Sequence, residues 1–274
     1  MRPIHCPAII PAMDLGIAGR SCIVTGASRG IGLATARMLA AEGASVLLVA
    51  RDRAALLEAA GSIEGGEVDT IAADVTDPDA AQRIVAECER RFERVDVLVN
   101  NAGTSQARPL GELTDEEWRQ QWELHVMGSL RLMRVAAPAM AERGWGRIVN
   151  VGSSSGRRPS LTNAAYTVSK AAQHMLSRVF ADAYAPKGVL VNTVSPGPVE
   201  SSLWMAEGGL ADQVAKLQGI SREEAFEATR SKVPLGRFGT ENEIAAVVTF
   251  LCSEWASDVA GANWSVDGGT VPLP

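Results

Sequence analysis

"VTGASRGIG", residues 24–32, is the stretch whose reading decides the fold. It begins inside an apolar run, "SCIVTG" (21–26), and its last residues open a stretch with helical patterning, 30–42. Between the two, Gly26, Gly30 and Gly32 let the backbone turn tightly. Ser28, Arg29 and Ile31 fill the turn. Glycines so placed allow an anionic group to approach the N-terminus of the following helix. The spacing is G-x-x-x-G-x-G rather than the G-x-G-x-x-G of the common dinucleotide motif, and such patterns also occur in plain turns. Its weight comes from what surrounds it.

Working outward, the same alternation recurs. "SVLLVA" (45–50), "VDTIAA" (68–73), "VDVLVN" (95–100), "RIVNVG" (147–152) and "VLVNTV" (189–194) are further apolar runs, and "NWSVDGG" (263–269) resembles a last strand. They are continuous rather than alternating, as expected of strands covered on both faces. Between them, 53–63, 77–91, 114–141 and 163–186 have helical patterning. Repeated strand–helix units imply right-handed crossovers and one parallel sheet. The expected fold is α/β, a single Rossmann-type doubly wound parallel sheet with helices on both faces, occupying 13–274 as one dinucleotide-binding and catalytic domain. Residues 198–236 break the rhythm. Some forty residues are too many for a plain connection, so short helices are expected there, forming a lid beyond a strand's C-terminal end.

Composition narrows the function classes. The chain has 274 residues, 46% hydrophobic, a net charge of −6 and a pI of about 5.2. That balance argues against a nucleic-acid partner, which needs a clustered basic face. No apolar run reaches the roughly 18 residues of a membrane span, so no membrane partner is expected. Cys6, Cys22, Cys88 and Cys252 are scattered without metal-ligand spacing, so no metal is expected and a reducing, cytoplasmic compartment fits. Residues 1–12, "MRPIHCPAIIPA", lack a continuous apolar segment and are expected to be a flexible extension or an upstream start ahead of Met13.

A second short stretch, "AAYTVSK" (164–170), holds one of two tyrosines and one of four lysines. On a helix Tyr166 and Lys170, four apart, share a face. Alone they could be a surface pair or an activated acid.

Taken together, these elements resemble the short-chain dehydrogenase/reductase family, ordinary in length and similar to the 3-oxoacyl-carrier-protein reductases. Its TGxxxGxG cofactor motif stands at Thr25 to Gly32, and "NNAG" (Asn100, Asn101, Ala102, Gly103) matches the element after the fourth strand. "ADV" supplies Asp74, the acid facing adenine, beside Val75. Ser153, Tyr166 and Lys170 match the active-site Ser, Tyr and Lys, with the usual thirteen-residue step from Ser to Tyr. "SPGPVES" (195–201) matches the segment flanking nicotinamide, which gives Pro196, Gly197, Val199 and Ser201 as contacts. The elements follow in order from about residue 15 to 270. By resemblance Asn192 also helps shape the nicotinamide side.

The resemblance implies a nicotinamide cofactor and a ketone or secondary-alcohol substrate. NAD enzymes place an acid at the end of strand two, whereas arginine there suits a 2′-phosphate. Here that position is Ala50, followed by Arg51, and Arg29 sits in the glycine loop. NADP(H) is therefore favoured and NAD(H) remains possible; the two arginines are otherwise solvated loop residues. Tyrosine ionises near pH ~10, and a neighbouring ammonium favours the phenolate. Tyr166 is thus the expected acid–base, Lys170 its tuner and ribose ligand, and Ser153 the group orienting the substrate oxygen. Ser154 and Ser155 rival Ser153 by composition; the spacing selects Ser153.

One position departs from the family. The asparagine usually found seven residues beyond a tryptophan, thought to bend its helix and anchor a relay water, is replaced after Trp118 by His125. His125 either substitutes in that relay, since histidine titrates near pH ~6.5, or is simply a polar inward residue. His5 and His174 have weaker claims.

Leu203, Trp204, Met205, Leu210 and Phe226 put apolar bulk in the lid, for an apolar substrate or for packing among themselves. Arg157 and Arg158 could meet an anionic group. Arg143 and Lys187 lie where carrier-protein reductases dock their acidic partner. The expected function is NADP(H)-dependent interconversion of a ketone and a secondary alcohol, leaning to a 3-oxoacyl thioester or general ketone. An NAD-dependent sugar, polyol or small-alcohol dehydrogenase is the alternative. A non-catalytic nucleotide sensor would need a broken catalytic set, and Ser153, Tyr166 and Lys170 all stand. By resemblance the partners are a small-molecule substrate and copies of the same chain, a homotetramer or homodimer packed through the two long helices and the last strand.

Overall fold

The computed structural model describes residues 14–272; the expected extension at 1–12, with His5 and Cys6, lies outside them. Seven parallel strands form one sheet in the order β3-β2-β1-β4-β5-β6-β7. They are β1 (Ser21–Thr25), β2 (Ser45–Ala50), β3 (Val68–Ala72), β4 (Val97–Asn100), β5 (Gly146–Val151), β6 (Val189–Pro196) and β7 (Asn263–Val266). The order reverses between β1 and β4, and at that point the two strand ends diverge into a crevice.

The continuous apolar runs have a simple cause. Successive residues serve different cores. Val24, Val46, Leu48, Val97 and Val149 face one layer, with α1 (Gly30–Ala41), α2 (Arg53–Gly61) and α10 (Glu241–Leu251). Ile23, Leu47, Val49, Leu98 and Ile148 face the other, with α3 (Ala80–Phe92), α5 (Gly128–Glu142) and α6 (Ala164–Tyr184). A strand buried on both sides has no polar face to display.

The helix expected over 114–141 is α4 (Asp115–Trp122) running into α5 through a π-helical stretch, Glu123–Met127. Thr114 and Glu117 form a reciprocal capping box at its start. The widened turn centres on His125. Gly128 follows it at a close approach, since a Cβ there would lie 3.2 Å from the Val75 carbonyl oxygen. The 198–236 segment forms the expected short helices: α7 (Ser202–Met205), α8 (Leu210–Gln218) and α9 (Arg222–Arg230). The last strand stops at Val266, short of the expected 269. The Asp267 carboxylate accepts from the backbone of Gly269 and Val271 and turns the chain. Among the described residues, no helix is long and apolar enough to cross a membrane.

Leu98 is fully buried in the central strand. Leu98→Ala should lower unfolding stability by about 2–5 kcal/mol, read as a lower urea midpoint with an unchanged slope.

Candidate active site

The glycine turn after β1 and the loop after β4 meet at the sheet's reversal. Thr25 joins them. Its Oγ1 accepts from the backbone N–H of Asn101 (2.9 Å) and Ala102 (3.0 Å). Asn101 Nδ2 donates back to the carbonyls of Thr25 (2.8 Å) and Gly26 (3.2 Å). Gly26 has φ +65°, and a Cβ on Gly32 would stand 2.3 Å from the Gly26 carbonyl oxygen, so both positions exclude side chains. α1 starts at this turn with no capping side chain. Gly30 and Ile31, which open α1, line the crevice, so the first N–H groups of α1 lie where they suit an anion.

These loops floor a cleft of about 1750 Å³. Ser153, Tyr166 and Lys170 line it, as do Gly26, Ser28, Arg29, Gly30, Ile31, Arg51, Asp74, Val75, Asn101, Ala102, Gly103, Pro196, Gly197, Val199 and Ser201. Of the expected site residues, Gly32 and His125 sit behind the lining. Asn192 is also removed from it, donating to the Val259 carbonyl and accepting from Ala262 N–H beneath the sheet edge.

Arg29 and Arg51 are exposed at the cleft's nucleotide end, and the nearest acid to Arg51 is Asp74 at 3.8 Å. Asp74 turns one oxygen to Thr76, accepting from its N–H and Oγ1. Asp52 points elsewhere, its carboxylate capping α2 through Ala54 and Ala55 N–H.

At the other end, β5 delivers Ser153 and α6 delivers Tyr166 and Lys170. Ser153 Oγ accepts from Ser155 N–H, 3.1 Å. Burial raises the Tyr166 phenol above its usual range, and the neighbouring Ser153 hydroxyl opposes this. Lys170 Nζ stands 5.8 Å from the Tyr166 ring centre. It donates to the Val151 carbonyl (2.7 Å) and to Gln173 Oε1 (3.0 Å). An ammonium has three donors, so one is left for the cleft. Burial pushes its pKa down to about 7.

His125 is fully buried, edge-on to Tyr166 with ring centres 5.2 Å apart. Thr104 N–H donates to its Nε2 (3.4 Å), which puts the proton on Nδ1, facing Ser169 Oγ at 2.9 Å. Ser169 in turn donates to the Tyr166 carbonyl, 2.8 Å. Both ring nitrogens are thus occupied. Burial, then the charge of Lys170, hold the ring well below its usual pKa.

Several contacts escaped the sequence. Arg157 donates to Ser265 Oγ (2.8 Å) and Arg158 to the Thr270 carbonyl (3.0 Å), so both tie the active-site loop to the C-terminal segment. Arg143 bonds the Val95 carbonyl and Lys187 covers the Tyr184 ring; they precede β5 and β6, at the sheet end opposite the cleft. In the 198–236 segment Leu203, Trp204 and Leu210 line the cleft, but Met205 and Phe226 do not. Trp204 and Phe226 both pack edge-on to Phe238, a residue outside that segment. Gln213 bridges the segment to the opposite wall, accepting from Ala107 N–H at 2.8 Å. Among the described residues no group of His, Cys, Asp and Glu is placed to hold a metal ion.

His174 is also depressed by burial, to about 4. Below pH ~6.5 the unfolded chain takes up protons at both histidines that the folded chain does not, so this contribution to stability falls as pH drops through that window. Ring-proton NMR of His125 and His174 should show no transition between pH ~5 and ~8; a midpoint near ~6.5 for His125 would contradict its neutral, doubly bonded state.

The chain is similar to known proteins over nearly its whole length. Residues 26–271 match a family described as enoyl-(acyl carrier protein) reductase. The chain is 40% identical over 254 residues to a galactitol 2-dehydrogenase (L-tagatose-forming) from Cereibacter sphaeroides, covering 92% of this chain and 94% of that one. It is 34% identical to a 3-oxoacyl-[acyl-carrier-protein] reductase of Thermotoga maritima, covering 92% and 98%. The crystal structure of L-sorbose reductase from Gluconobacter frateurii, complexed with NADPH and L-sorbose, superposes with a TM-score of 0.88 at 36% identity, covering 96% and 100%. With its strand order, glycine turn and Ser–Tyr–Lys cleft, the chain belongs to the short-chain dehydrogenase/reductase family, oxidoreductases acting on CH–OH and C=O groups.

Proposed function

We propose that the protein interconverts a ketone and a secondary alcohol with NADP(H), on a substrate that carries further hydroxyl groups. The observation that carries this is the convergence of Ser153, Tyr166 and Lys170 on one cleft whose other end is an uncapped helix N-terminus. The turn at Gly26 to Gly32 and the α1 N–H groups suit a pyrophosphate, and Arg29 and Arg51 suit a 2′-phosphate. Asp74, Val75 and the 101–103 loop border the adenosine half. Pro196, Gly197, Val199 and Ser201 border the nicotinamide half. When bound, the reduced cofactor supplies hydride to the carbonyl carbon.

The chain's own residues handle the oxygen. Ser153 donates to it and orients it. As the C=O π pair moves onto oxygen, Tyr166 releases its hydroxyl proton there, leaving a phenolate. Lys170 stabilises that phenolate through its charge and its remaining N–H. In oxidation the same phenolate takes the alcohol's proton. His125 acts by position, fixing the Tyr166 carbonyl through Ser169 and the 104 loop through Nε2.

The hydroxylated substrate is favoured by polar residues of the cleft wall, among them Ser105, Gln106, Asn163 and Glu207. Much of the lid's aromatic bulk is spent on Phe238. The sugar relatives, galactitol 2-dehydrogenase and L-sorbose reductase, support the same choice. A 3-oxoacyl thioester is the second reading, favoured by the long, open cleft and by the Thermotoga maritima relative.

Val168, Met175 and Val179 stand exposed along one face of α6, and β7 leaves an open sheet edge beside Trp264. We infer a homotetramer closed over these surfaces. The three buried free cysteines, Cys22, Cys88 and Cys252, suit a reducing cytoplasm.

A spectrophotometric screen tests the function: NADPH oxidation with ketoses, simple ketones and 3-oxoacyl thioesters, and NADP⁺ reduction with polyols. Turnover of ketoses and polyols is expected; turnover of thioesters alone transfers the assignment to the second reading, and no turnover at all sinks both. Tyr166→Phe should lower kcat by roughly 10²–10⁴-fold with little change in cofactor binding. The KM for NADPH should lie well below that for NADH, with Arg51→Asp narrowing the gap by about tenfold or more, on the order of 1.4 kcal/mol. Equal use of both cofactors by the wild type would remove the basis for the NADP(H) assignment.

A further inference from the structure

Lys170 is buried, and among the described residues no carboxylate accepts from it. The ionisable groups around it are Tyr166 and His174 on its own helix and His125 from the π-helical stretch opposite, with Arg157 facing His174 from the loop after β5. All are neutral or cationic. The ammonium therefore depends on neutral oxygens, and two are in place: the Val151 carbonyl and Gln173 Oε1.

Gln173 is itself almost completely buried. Its amide is not free to turn, because Nε2 donates to Ser129 Oγ at 2.8 Å. That bond fixes which end of the amide meets Lys170. Ser129 lies four residues beyond His125 on one helix, and Gln173 lies four beyond Ser169 on the other. His125–Ser169 and Ser129–Gln173 are thus two successive cross-helix rungs, one helical turn apart. The first ends on the Tyr166 carbonyl, the second on the Lys170 ammonium.

We propose that Gln173 is a positioning residue for Lys170: its amide oxygen, oriented by Ser129, keeps the ammonium charged and aimed at Tyr166. Its importance for turnover rests on the assignment of Tyr166 and Lys170 as acid–base and tuner, but its effect on the lysine does not. A hydrogen bond to an ion favours the charged form, and removing it leaves the buried charge one acceptor short.

The test measures the lysine directly. The chain has four lysines, so ¹³C-lysine labelling gives a resolvable set, and Lys170→Met assigns the signal. The Lys170 Cε shift is followed against pH in the wild type, Gln173→Leu and Gln173→Glu. Gln173→Leu should move the midpoint down by about one unit or more, and Gln173→Glu should move it up by at least as much, since a carboxylate accepts from Lys170 while the Ser129 hydroxyl donates to it. Ser129→Ala should give a smaller downward shift. Identical midpoints in wild type and Gln173→Glu overturn the proposal, and this arm stands even if Gln173→Leu does not fold. A Tyr166→Phe enzyme with undiminished turnover would refute the acid–base assignment instead, leaving the lysine titration as an independent result. The acid limb of alcohol oxidation should shift to higher pH in Gln173→Leu and return towards the wild-type position in Gln173→Glu.

Discussion

A buried ammonium with no carboxylate beside it is an unfavourable thing to build, and among the described residues Lys170 has none. Its surroundings are arranged to make it tolerable without neutralising it. A carboxylate in contact would hold the lysine charged but would also cancel the field at Tyr166. Neutral oxygens solvate the charge and leave the field standing. The carbonyl of Val151 comes from the end of β5, and the amide of Gln173 from the lysine's own helix, so the position of α6 against the sheet is fixed by the same contacts that hold the charge. Asn150 extends this attachment, donating to Ser177 Oγ at 2.8 Å, and Ser177 donates to the Gln173 carbonyl.

The other half of the site follows from topology. Reversal of the strand order between β1 and β4 opens a crevice, and Thr25 pins its two lips together. The exposed amides of α1 lie at one end and Tyr166 at the other. An extended ligand with an anionic middle and a reactive ring at one end can span the two. Between them the walls are supplied by the 104–109 loop and by α7 and α8, bridged through Gln213 and Ala107.

Much of this was legible in the chain because its signals are local. A strand buried on both faces must be a run of Val, Ile and Leu; a turn between strand and helix at an anion site must be glycine; Tyr166 and Lys170 are one turn apart. What was hidden depends on long-range pairing. Arg157 and Arg158 look free until Ser265 and Thr270 fold back over them. Phe226 looks like pocket lining until Phe238 offers it a partner. Gln173 and Ser129 are 44 residues apart, and no periodicity links them. His125 was visible as a departure from the family, but the engagement of both its nitrogens was not, because one partner is a backbone N–H in a loop and the other a serine on a different helix.

The π-helical stretch at Glu123–Met127 gives this helix a constraint on its length as well as a shape. A widened turn carries one residue more than the regular helix needs, so it marks where a residue can be inserted into or lost from an otherwise continuous helix. Loss of that residue together with the bulge would restore the regular helix with its two halves in nearly the same phase, whereas loss of a residue from a regular turn would rotate one half against the other by about 100°. Point substitutions can change the chemistry of each rung separately, but only a change in chain length can move the rungs together. Among related chains, the length between Thr114 and Gly128 should therefore be a more stringent marker of this cross-helix arrangement than the identity of any one residue within it.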